Sequence, residues 1–181
     1  MYYTMNKTFL HILLFVMLMA CSSPGQKKTA SDTGISSFAA VSKTIIETAK
    51  SQLGSELKNP VFSLGNNGAI IIRSEEAEFF IEPSDINIGQ LDEDNSEDGI
   101  VSCSVTEKGK VPYRKHLILL NKGQVKVVRE FVADMNVMQI SRRIVYAEIP
   151  KHGSNSPLHN CHVCKDNVMY KLSGDSLLLV K

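Results

Sequence analysis

Apolar positions recur with a helical period early in the chain and switch to strand-like runs past Pro60. In ISSFAAVSKTIIETAKSQLGSELKNP, residues Ile35, Phe38, Ala39, Ile45, Ile46, Ala49 and Leu53 follow a 3.6-residue repeat with one slip near Ser42. Ser36 can cap its start and Gly54 can end it, so the pattern predicts an amphipathic helix from about 37 to 53. After Pro60, VFSLGNNGAIIIRS reads as two strands around Gly65-Asn66-Asn67-Gly68, a hairpin signal. AEFFIE, GIVSCSV, RKHLILLN, QVKVVREFV and MQISRRIVYAEI follow as further strands, the last read as one run. VMYKL and SLLLVK close the chain around Ser173-Gly174-Asp175. In QVKVVREFV, Val125, Val127 and Phe131 share one face and Lys126, Val128 and Glu130 the other.

One helix thus precedes eight or nine strands joined by short links. Short links favour antiparallel neighbours, because parallel pairs need long crossovers. The expectation is an α+β fold: one N-terminal amphipathic helix packed on a curved, mainly antiparallel sheet of about eight strands. A pure β-sandwich or a small propeller fragment is the alternative.

A different pattern lies ahead of the helix. Lys7 flanks a nearly unbroken apolar run from Phe9 to Ala20, with His11 its one polar member, and small residues with a cysteine follow. This is the layout of a secretory signal peptide, and a start at Met5 would give it a tidier opening. As a helix the run reaches about 18 Å, short of a hydrocarbon core about 30 Å thick. Leu18-Met19-Ala20-Cys21 resembles the lipobox of bacterial lipoproteins. That resemblance implies a diacylglycerol thioether (and often an amide-linked palmitate) on Cys21, with cleavage just before it. Ser22 and Ser23, where a retention aspartate would otherwise stand, imply the outer membrane of a Gram-negative bacterium. More than one acyl chain is what stable anchoring requires. The expected organisation is therefore 1–20 signal peptide, 21–35 lipidated cysteine and flexible tether, and 36–181 a single globular domain. As a coil, SSPGQKKTASDTGI would span roughly 20 Å.

Charge narrows the partners. Without Lys7, basic and acidic residues balance at 19 each, which gives no basic excess for nucleic acid. The chain has no tryptophan, which argues against a carbohydrate-stacking platform.

Candidate chemistry is confined to two stretches. HNCHVCKDNVMYKL puts His159, Cys161, His162 and Cys164 close together. With Cys21 acylated, Cys103, Cys161 and Cys164 remain, enough for one bridge in an oxidising compartment. That bridge would lie within Cys161-x-x-Cys164 or run from one of them to Cys103. Zinc is an alternative, held by Cys161, Cys164 and His159 or His162, with Cys103 or His152 completing the site. A c-type haem would need histidine where Lys165 stands. A thioredoxin-like couple would need a helix after the pair, where the pattern reads as a strand. Free thiols are the remaining alternative. Cys103, in IVSCSV, reads most simply as a small core hydrophobe.

The second stretch is QLDEDNSEDGIVSCSV, where Asp92, Asp94, Ser96 and Asp98 alternate before Gly99. Alternating oxygens suit calcium, and the stretch resembles the acidic loops of FG-GAP and VCBS-like blades. It departs from an EF-hand: Glu97 stands where glycine is needed, Cys103 where the bidentate glutamate would be. A solvated acidic turn is the simpler reading. His116 reads as packed, His152 and His159 as loop residues, and Arg142-Arg143 as an exposed and a rim charge on an edge strand that could meet an anionic partner. No nucleophile elbow, phosphate loop or H-E-x-x-H occurs. The expected function is a lipid-anchored, extracytoplasmic, non-enzymatic binding module, partnered by the membrane through its anchor and by an envelope component or protein. No cofactor is expected, with zinc or calcium as alternatives. The competing functions are a zinc or redox protein built on Cys161 and Cys164, or an inhibitor or immunity-type lipoprotein.

Overall fold

A computed structural model describes residues 30–151 and 164–180. The signal segment, Cys21 and the first part of the tether lie outside the described residues, as do His152, His159, Cys161 and His162.

Helix α1, Ala30–Ser55, comes first. It begins earlier than its apolar repeat, inside the stretch read as tether, because the repeat marks where a helix meets a core rather than where its backbone is helical. Gly54 does not act as a left-handed stop. A Cβ there would come within 2.7 Å of the Phe62 ring, so the glycine lets Phe62 close over the helix end.

Eleven strands follow among the described residues. They are β1 Val61–Leu64, β2 Ile70–Arg73, β3 Ala77–Ile81, β4 Ile86–Gly89, β5 Asp98–Glu107, β6 Tyr113–Asn121, β7 Val125–Val132, β8 Asn136–Ser141, β9 Ile144–Pro150, β10 Lys165–Ser173 and β11 Ser176–Val180. A 3-10 turn, Pro83–Asp85, separates β3 from β4. All pairings are antiparallel. The expected single curved sheet is instead two sheets. One has the order β1-β2-β3-β5-β6-β7, with β4 also on β5; the other has the order β11-β10-β9-β8.

Two features hid this from the pattern. β4, INIG, is a short strand that pairs with the first half of β5, while β3 pairs with its second half. MQISRRIVYAEI is not one strand but a hairpin, with Arg142 and Arg143 at its turn in left-handed backbone, φ 51° and 63°. That geometry normally announces itself through Asn-Gly, so a pair of arginines gives no turn signal.

The larger sheet is covered on both faces. Ile45, Ala49 and Leu53 of α1 pack on Ile72, Phe79, Val101, Cys103, Val105, Leu117 and Leu119. On the other face, Ile100, Ile118 and Leu120, with Leu91, pack on Val137, Val145 and Ala147 of the second sheet. Successive residues of β5 and β6 therefore enter different cores, and both strands read as nearly continuous buried runs. Each fully buried Ile or Leu contributes about 1.5–3 kcal/mol of transfer free energy. Gly99 lets the helix approach β5 closely: a Cβ there would lie 2.8 Å from Ile45 Cγ2.

Candidate functional site

Ser102 on β5 and His116 on β6 face each other in register, on the side covered by the second sheet. The His116 Nε2 lies 3.1 Å from the Ala133 carbonyl oxygen, which only accepts, so Nε2 carries the proton. Nδ1 then accepts the Ser102 hydroxyl at 2.8 Å. The ring stacks on Phe131 with centroids 5.0 Å apart. A serine donating to a histidine resembles part of a nucleophilic constellation. Here both residues have 0 % exposure, so no substrate atom can reach the hydroxyl. Burial drops the imidazole to about 4, and it is neutral at pH 7. Ala133 lies between β7 and β8, so the pair ties the larger sheet to the strand that starts the smaller one. One residue pair further along, Arg114 forms an ion pair with buried Asp85 of the 3-10 turn.

The acidic loop folds around a lysine. Lys122 Nζ lies 2.5 Å from Asp92 Oδ2 and 2.8 Å from Asp94 Oδ2. Asp92 Oδ1 accepts the Asp94 N–H at 3.0 Å, and Asp94 Oδ1 accepts the Ser96 N–H at 2.8 Å. Asp98 is fully buried, and its oxygens accept the N–H groups of Leu91 and Asn121, each at 2.9 Å. Hydrogen bonding from Lys122 holds Asp94 down at about 2, whereas burial pushes Asp98 up. Asp92, Asp94 and Asp98 still offer oxygens within 4.8 Å of one another. Calcium binding there would displace the ammonium and compete with two backbone donors. Ser96 takes part through its backbone N–H. Lys122 carried no sequence signal, because it joins the loop only across the β6–β7 turn.

Cys103 is a free, buried thiol on the helix side of β5, pushed up to about 12 by burial. It packs as a small hydrophobe. A bridge from it to Cys161 or Cys164, or its use as a zinc ligand, does not fit this environment. Cys164 is disulfide-bonded. Lys165 opens β10, so the pair leads into a strand as the pattern suggested.

At the C-terminal end of α1 the surface opens into a groove of about 870 Å³. Residues 56–59, β1 and the β2–β3 turn form its walls, with Phe79 and Tyr113 among its lining. Tyr113 donates to Glu107 at 2.7 Å. Beside it, Lys115 joins Glu56 and Glu130, each at 2.6 Å, and clamps the end of the helix onto β6 and β7. Sequence reading gave none of these residues a role in a site and named only Glu130, as a member of one face of its strand, because their contacts join segments far apart in the chain. No protein-family model, curated protein or solved structure matches this chain.

Proposed function

We propose that this protein is a lipid-anchored component of the cell envelope whose extracytoplasmic domain is a non-enzymatic interaction module, on the outer membrane of a Gram-negative bacterium. The observation that carries the reading is Leu18-Met19-Ala20-Cys21 directly behind the apolar run from Phe9. Two features of the domain support it. The Ser102–His116 pair is sealed between two sheets and is committed to packing. Apolar side chains stand exposed on terminal strands of both sheets, among them Leu64 and Leu179. A bridge between Cys164 and Cys161 belongs to the same reading, since the compartment is oxidising. No described helix is long and apolar enough to cross a membrane.

The test compares the full chain with its Cys21→Ser variant by intact mass, palmitate labelling and fractionation. The wild type is expected to carry acyl mass and sediment with envelopes, and the variant to lose the label and the sedimentation. A wild type without added mass, together with a variant that still sediments wholly with envelopes, would sink the reading.

A further inference from the structure

Strand β1 ends the larger sheet, and all four of its residues are exposed. The N–H of Gly65 donates to the Ala69 carbonyl at 2.8 Å, in the same register that sets Leu64 opposite Ile70. In an antiparallel ladder bonded positions alternate. Val61 and Ser63 therefore bond inward to β2, and Phe62 and Leu64 turn their N–H and C=O outward. Val61 is 66 % exposed and Leu64 76 %. VFSL carries no charge, no proline and no bulge, the usual guards of a free edge.

The groove adjoins this edge, with Val61 and Ser63 in its lining. Glu56, Glu75, Glu76 and Glu107 line it as well. Glu56 already holds Lys115, and Glu107 holds Lys110. Glu75 and Glu76 have no cation partner among the described residues, and the last carbonyls of α1 add negative potential. Lys58 opposes them, the one lining cation without a carboxylate partner among the described residues; Arg73 is paired with Glu78. The balance of unpaired groups is acidic. From these observations we infer that β1 takes an extended polypeptide segment bearing a basic side chain as an added strand, with that side chain in the groove against Glu75 and Glu76. Backbone pairing at Phe62 and Leu64 gives affinity, and the groove gives specificity. The inference rests on the interaction-module reading and names its partner class.

The probe is the peptide acetyl-Thr-Val-Lys-Val-Lys-Thr-amide, titrated into the full chain in detergent, with calorimetry and residue-resolved amide exchange as readouts. Saturable binding that protects the Phe62 and Leu64 amides is expected, with the same peptide carrying Glu for Lys failing to bind. Leu64→Pro removes an outward donor and leaves the bonds to β2 intact; it should weaken binding about tenfold, as loss of one strong hydrogen bond would. Leu64→Thr keeps the donor, serves as the folding control and should bind near wild type. Glu75→Gln with Glu76→Gln should weaken binding and flatten its salt dependence. Absence of saturable binding, equal binding of the Glu peptide, or binding without protection at these amides overturns the proposal. So does concentration-dependent protection without peptide, which would assign the edge to a second copy of the chain. The Cys21→Ser test is independent: loss of peptide binding leaves the anchor standing, and loss of the anchor leaves β1 standing.

Discussion

Acidification should destabilise the domain through His116 before most carboxylates titrate. Its ordinary value is 6.5 and burial lowers it to about 4. The unfolded chain therefore binds a proton that the native state refuses, and stability falls as pH drops below 6.5. The loss is about 1.4 kcal/mol per pH unit in that window. It reaches about 2 kcal/mol by pH 5 and levels off near 3 kcal/mol below pH 4. Asp98, raised by burial, works in the opposite sense, since its native form holds a proton longer and acid favours it. The control is His116→Gln, whose amide can donate to Ala133 and accept from Ser102 without titrating. Urea unfolding at pH 7.5, 6 and 5 measures both proteins. The wild type should lose about 2 kcal/mol across the series, and the variant only the small loss both share. A wild-type stability flat to pH 5, or a variant with the same slope, refutes the assignment of a neutral, sealed imidazole.

Three further outcomes follow from the packing. Lys115→Met leaves Glu56 and Glu130 facing each other without their cation; with Lys115 12 % exposed, it should cost about 1–2 kcal/mol in denaturant unfolding after allowance for screening. Gly99→Ala drives a methyl to 2.8 Å from Ile45 Cγ2 and should cost about 1–3 kcal/mol in urea unfolding; an unchanged stability would show that helix and sheet are not in close contact there. Lys122→Met should lower the thermal midpoint at low salt, with the difference shrinking in 1 M salt, because the ammonium sits in solvent between Asp92 and Asp94. That contribution exists above pH 3.8 and is lost as pH falls toward the Asp94 value of about 2; equal midpoints at low salt would remove the latch.

The helix, the Gly65–Gly68 hairpin and the short links were legible in the chain itself, although the apolar stripe reaches the core only in its later part: Ile45, Ala49 and Leu53 are buried, while Phe38 and Ala39 are exposed. Each is a local regularity: a helix must turn one stripe inward, and a short link forces neighbours to run antiparallel. The fate of Cys103 as a packed thiol was legible for the same reason, from its apolar neighbours. The acidic loop was visible as a cluster, but its cation was not, because Lys122 reaches Asp92 only when β5 and β6 pair.

What the sequence alone determined is a helix followed by antiparallel strands, behind a segment that reads as a signal and an acylation site. Only the tertiary structure decided that the strands divide into two sheets, that β5 and β6 are buried on both faces, and that Arg142 and Arg143 form a turn. It also sealed His116 against Ser102 and left β1 open beside an acidic groove. The physical reason is range: periodicity records which face of an element is buried, while the identity of the covering layer depends on contacts between residues far apart in the chain.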